Sequence, residues 1–145
     1  MSRHRLPILA SVAAVALVTV VAAVFLFAPG GDAGTERDST LESALDLSSQ
    51  PPEMAAMYHY AEAHAAVFEK IPCYCGCGKA IGHQSLLDCF LIAPGQYSDH
   101  ASGCMVCTDE AADVERLVAQ GQDTTAIRAW IDVEYSKYGP PTSTQ

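Results

Sequence analysis

Six cysteines, Cys73, Cys75, Cys77, Cys89, Cys104 and Cys107, fall within 35 consecutive positions, and the first three alternate with single residues as C-x-C-x-C. A disulfide between residues i and i+2 closes a very small, strained ring, so each of these three would need a distant partner. Only Cys89, Cys104 and Cys107 are available, and three bridges would then converge on one five-residue segment. Metal ligation suits the spacing better. On an extended backbone alternating cysteines turn their sulfurs to one side, and Gly76 and Gly78 allow backbone N–H groups to face thiolates. C-x-C and the closing C-x-x-C of Cys104 and Cys107 are both spacings that place two sulfurs on one ion. Residues 72–107 therefore read as a loop organised by its sulfurs, in which only Ser85–Ile92 has a helical pattern.

The flanks of this loop read as helices. Pro51 and Pro52 follow Ser48 and Ser49, which can cap a helix whose first turn tolerates proline. Met54, Met57, Tyr58, Ala61, Ala65 and Phe68 then recur at helical spacing up to about Glu69, and Ile71-Pro72 ends the run. Thr108 is a candidate cap for a further helix with Asp109 and Glu110 in its first turn, stopped by Gly121. Asp123 or Thr124 can cap a last one carrying Ile127, Trp130, Ile131, Glu134 and Tyr138, closed by Gly139-Pro140-Pro141. The expected fold class is mostly α: three to four short helices around a Cys-rich loop, preceded by one N-terminal transmembrane helix. A domain of about 90 residues over 51–140 has a marginal core, which staples or a metal would assist.

The N-terminal span follows from Leu6–Ala28, 23 residues without a charge, or about 34 Å as a helix. Arg3 and Arg5 before it predict that the rest of the chain faces outward from the cytoplasm. Residues 1–28 thus read as an uncleaved signal anchor, the alternative being export after cleavage. No cysteine precedes Cys73, which excludes lipid attachment at a lipobox. Residues 29–50 are rich in Gly, Ser, Thr and acids and read as a flexible acidic linker, and 141–145 as a disordered tail. The formal charge is −9, with five bases against twelve acids in 51–145. With no basic footprint for phosphates, nucleic acid is not an expected partner.

The run Pro72-Cys73-Tyr74-Cys75-Gly76-Cys77-Gly78 resembles the bacterial PCYCGC-motif family of exported proteins, a family of unknown function. The likeness continues through Gly82-His83, Leu87-Asp88-Cys89-Phe90, His100-Ala101, Gly103-Cys104-Met105-Val106-Cys107 and Gly121 to Ile127-Arg128, covering nearly all of 51–140. Many members look like lipoproteins, whereas here a transmembrane helix would provide the tether. The resemblance implies an exposed, cysteine-rich, metal-binding domain and names no reaction.

Soft thiolates favour Cu(I), with Zn(II) next. Copper(I) can use all six sulfurs with bridging. Zinc would take four and leave two, which can pair or recruit His83 and His100 to complete a second site. The candidate ligands are therefore the six cysteines with His83 and His100. The expected function is extracytoplasmic, membrane-anchored thiolate binding of Cu(I) for storage, buffering or delivery, with a metal donor or acceptor protein as partner. A disulfide-stapled interaction module without metal and a Zn(II)-stabilised structural domain are the alternatives. No activated serine, phosphate-cradling loop or spaced carboxylate pair is visible, so no enzyme activity is expected. His59 and His64 lie about 140° apart on the first helix, poor geometry for joint ligation. Met54 and Met57 read as core filler, and Tyr74 as packing over the cluster.

Overall fold

The computed structural model describes residues 42–144, so the expected transmembrane helix and most of the expected linker lie outside the described residues. No helix among the described residues is long and apolar enough to cross a membrane. The described part is mostly helical, with a small three-stranded sheet that the sequence pattern did not anticipate.

Helix α1, Pro52–Ala63, starts on its prolines as expected, but it does not continue unbroken to Glu69. His64 leaves the helical region at φ −113 and ψ 28, its Nδ1 lies 3.0 Å from the Tyr60 carbonyl, and its ring stacks on Tyr60. The local bond competes with the helix ladder, and the chain restarts as α2, Ala65–Phe68. The buried face of α1 and α2 delivers Tyr58, Ala61 and Phe68 to the core, where Phe90 meets Tyr58 and Phe68 edge-on at centroid distances of 5.0 and 5.9 Å. Met54 and Met57 pack against this core.

A four-residue helix α3, Cys77–Ala80, lies where only loop was expected. The segment Ser85–Ile92 is not a helix: it makes one 3-10 turn, Leu87–Cys89, and then enters strand β2, Leu91–Ala93. Its apolar run is too short to decide between helix and strand by periodicity. Strand β3, Gln96–Ser98, returns antiparallel after Pro94-Gly95, with Gly95 at φ 71. Strand β1, Ala44–Leu45, adds to the other edge of β3, giving the order β1-β3-β2 with Ala44 opposite Ser98 and Leu45 opposite Tyr97. Residues 42–50, expected within the flexible linker, are thus part of the domain, because Leu45 and Leu47 pack on its core.

Helix α4, Met105–Ala119, begins three residues before the Thr108 cap expected for it; Cys104 is its N-cap residue and Thr108 bonds back to the Met105 carbonyl at 3.0 Å. Gly121 at φ 75 ends it, and Asp123 caps α5, Thr124–Tyr135, by accepting from the Ala126 N–H at 2.9 Å. Ala111, Val114 and Leu117 of α4 and Ile127 and Ile131 of α5 are all buried, each large aliphatic contributing about 1.5–3 kcal/mol. The tail is not disordered through Thr144. Thr142 is buried and clamps Cys73, its N–H donating to the Cys73 carbonyl at 3.0 Å and its Oγ1 accepting from the Cys73 N–H at 2.9 Å.

Candidate metal centre

The C-x-C-x-C segment is held from three sides. Besides the Thr142 clamp on Cys73, the Tyr74 N–H donates to Glu110 Oε1 of α4 at 2.9 Å, and the Tyr74 hydroxyl donates to Asp132 of α5 at 2.7 Å. Gly76 takes φ 90, a conformation that a side chain resists, and turns the chain into α3 with Cys77 as its first residue. Gly78 passes so close to neighbouring chain that an added Cβ would stand 3.1 Å from the His83 carbonyl oxygen and from Thr142 Cγ2. These anchors bring sulfurs from one loop to meet Cys89 of the 3-10 turn and Cys107 of α4.

All six cysteines are free thiols. Cys73 Sγ lies 3.6 Å from Cys107 Sγ, and Cys77 Sγ lies 3.7 Å from Cys89 Sγ, both far beyond a disulfide bond of about 2.05 Å. They match the edge of a coordination tetrahedron: four sulfurs about 2.3 Å from one ion stand about 3.8 Å apart. His83 Nδ1 is 3.4 Å from Cys89 Sγ, His100 Nε2 is 3.5 Å from Cys75 Sγ, and the two imidazoles meet edge to face at 5.0 Å.

Three four-donor groups result, each with its ligand atoms within 4.8 Å of one another. They are Cys73, Cys75, Cys77 and Cys89; Cys75, Cys89, His100 and Cys107; and Cys77, His83, Cys89 and His100. Cys89 is common to all three. Seven of the eight residues singled out from the sequence are therefore brought together, and Cys104 belongs to none of these groups. It sits at the half-exposed margin, next to the exposed Met105. Cys73, Cys77, Cys89, Cys107 and His83 are buried, while Cys75 and His100 are only partly so, which gives the centre an open side.

The Cys107 thiol hydrogen-bonds to its neighbours and lowers Cys73 to about 4 and Cys104 to about 7, and drives Cys75 far below the ordinary thiol range. Cys107, Cys77 and Cys89 are raised, chiefly by hydrogen bonding with Cys104, Cys73 and Cys107 in turn. The Cys75 thiolate raises His100. Ionised sulfurs sharing few protons are the form in which cysteine binds metal.

Three contributors were not singled out in the sequence. Glu110, expected in the first turn of its helix, lies fully buried one turn after Cys107; burial pushes its carboxyl up to about 10, with the Cys73 charge adding to the effect. Among the described residues its Oε2 has no hydrogen-bond partner. Starting the helix at Met105 would have placed Glu110 on the face of Cys107 and Ala111. Thr142 carried no signal, lying beyond a double proline. Glu42 Oε1 stands 2.8 Å from the buried His83 Nε2 and was hidden in a polar stretch. His59 and His64 lie off the centre, bonded to Tyr97 and Tyr60. Tyr74, expected to pack over the cluster, is buried in the core with its hydroxyl on Asp132.

A small, mostly helical domain with a cluster of cysteine and histidine donors able to hold a metal is the class that fold and site define. The chain belongs to the family of proteins of unknown function with a PCYCGC motif, whose family model matches residues 28–145. No curated protein and no solved structure gives a match.

Proposed function

We propose that this protein is an extracytoplasmic, membrane-anchored thiolate protein that binds Cu(I) for storage, buffering or delivery. The observation that carries the reading is the set of three overlapping four-donor groups that share Cys89, because shared sulfurs are what a polynuclear thiolate cluster uses. Copper(I) is favoured over harder ions by the excess of sulfur, and ligation would protect thiols in an oxidising compartment. The open side at Cys75 and His100 suits exchange with a metal donor or acceptor protein. The centre acts by binding, without turnover of a substrate. The outward orientation and membrane anchor rest on Arg3, Arg5 and the Leu6–Ala28 run.

A second reading has its own support. Cys73 with Cys107 and Cys77 with Cys89 are sulfur pairs in contact at 3.6 and 3.7 Å, so an oxidised, metal-free form would join those pairs. One experiment separates the two. The full-length chain, prepared reduced and anaerobic, is loaded with Cu(I) against a competing chelator, desalted, and assayed for metal and for thiols after denaturation. Retained copper with six titratable thiols after metal removal supports the proposal. No retained metal overturns it, and retention of Zn(II) alone replaces copper by the structural zinc reading. Native material with no metal and no free thiol supports the disulfide module.

A further inference from the structure

We propose that Glu42 is a positioning residue of the centre, holding His83 in the tautomer that turns a bare Nδ1 toward Cys89, so that His83 ligates through Nδ1. This rests on the metal-binding reading above and assigns the histidine nitrogen that takes the ion.

His83 is buried, with 1% of its side chain exposed, and its two ring nitrogens face different partners: Nε2 stands 2.8 Å from Glu42 Oε1 and Nδ1 stands 3.4 Å from Cys89 Sγ. A carboxylate only accepts hydrogen bonds, so the hydrogen between Glu42 and the ring resides on Nε2. A neutral imidazole has one N–H, which leaves the Nδ1 lone pair directed at the sulfur cluster. A carboxylate behind a metal-binding histidine orients the ring and raises its basicity.

Glu42 is itself fixed. Its Oε1 also accepts from the buried Ser98 hydroxyl at 2.5 Å, and Ser98 Oγ accepts from the His100 N–H at 3.1 Å. One carboxylate thus ties the ring of His83 to the backbone of His100, the two histidines of the third donor group. The chain around Glu42 is zipped onto β3: Ser43 donates to Asp99 Oδ1 at 3.3 Å, its carbonyl accepts from the Asp99 N–H at 3.0 Å, and Ala44 pairs with Ser98. The strand that leads out of the expected linker therefore serves to bring one acceptor to the back of the centre.

The test uses the 15N-labelled full-length chain, reduced and metal-free, with long-range proton–nitrogen NMR correlations of the histidine rings. Before metal, the His83 proton is expected on Nε2. On addition of Cu(I), or of Zn(II) in a parallel sample, the His83 Nδ1 resonance is expected to shift. Glu42→Leu is expected to mix the tautomers and weaken metal binding roughly 10- to 100-fold, while Glu42→Gln, which keeps an accepting oxygen, is expected to lose less than about tenfold. A proton on Nδ1 in the wild type, an Nδ1 resonance unmoved by bound metal, or wild-type affinity in Glu42→Leu overturns the inference. Failure of the wild type to take up either ion defeats the metal-binding reading, whereas uptake that leaves Nδ1 unmoved defeats only the role of Glu42. The wild-type spectra decide the matter even where Glu42→Leu folds poorly.

Discussion

Replacing Cys89 by serine removes the one sulfur common to all three four-donor groups, whereas replacing Cys104 removes a sulfur that belongs to none. By the same count Cys73→Ser leaves two groups intact, as do Cys107→Ser and His83→Ala. Thiolate sites bind zinc with about 10–16 kcal/mol, or about 2.5–4 kcal/mol for each of four ligands, so losing one donor costs roughly 10²- to 10³-fold in affinity. Cys89→Ser is therefore expected to weaken every mode of binding by that factor and to lower the metal content per chain. Cys73→Ser and Cys107→Ser are expected to lose capacity while the remaining groups keep their affinity, and Cys104→Ser to stay within about threefold of the wild type. Anaerobic titration of the full-length chain with Cu(I) against a chelator reads both affinity and stoichiometry. Circular dichroism of the reduced, metal-free variants checks that serine, nearly isosteric with cysteine, leaves the fold intact. Equal losses for Cys89→Ser and Cys104→Ser would refute the reasoning, since the structure gives the two sulfurs opposite standing.

Two further outcomes concern stability. Tyr58 is fully buried, donates to the Ser98 carbonyl at 2.8 Å and accepts from the Ser102 N–H at 2.9 Å; burial first, opposed by the Ser102 bond, pushes its phenol from 10.0 up to about 12. A folded pKa raised this way corresponds to about 2.7 kcal/mol that is present below pH 10 and lost as pH rises through 12; urea unfolding of the wild type is expected to show that loss, and Tyr58→Phe, destabilised by about 1–3 kcal/mol at neutral pH, to lack this part of it. Gly78→Ala is expected to cost about 1–3 kcal/mol by thermal unfolding, because its Cβ would press on the His83 carbonyl, a backbone atom that cannot swing aside.

The legible parts of the chain were those written in local chemistry. Gly121 and Asp123 punctuate the last two helices where their backbone and capping roles required; of the expected stripe Ile127 and Ile131 face the core, whereas Trp130, Glu134 and Tyr138 are exposed and Tyr138 lies past the helix end at Tyr135. The sulfur cluster was legible because i, i+2 spacing leaves few geometries open. What stayed hidden depends on distant partners. Strands of two or three residues are too short to show a period, and β1 exists only because β3 offers it an edge. Glu42 reads as solvent-facing until His83, 41 residues later, is placed against it. Glu110 reads as a first-turn acid until the helix is started at Met105, which turns it inward to the Tyr74 N–H.

The candidate donors are also part of the hydrophobic core: Cys73, Cys77, Cys89 and Cys107 pack with Phe68, Phe90 and Val114 in a single buried cluster. They come from separate segments, the anchored loop, the 3-10 turn and α4, with His100 entering from the end of β3. An ion bound there would add a cross-link to segments already joined by apolar packing and by bonds such as that from the Tyr74 N–H to Glu110, so occupancy and folding are linked. Free metal at about 1,000 times its dissociation constant adds about 4.1 kcal/mol to the folded state. For a domain of this size each kcal/mol raises Tm by about 4–8 °C, so saturating Cu(I) is expected to raise Tm by about 16–33 °C under anaerobic, reducing conditions. Cys89→Ser, which leaves no group intact, is expected to lose most of that rise, and a wild-type Tm unmoved by bound copper would place the ion away from this core.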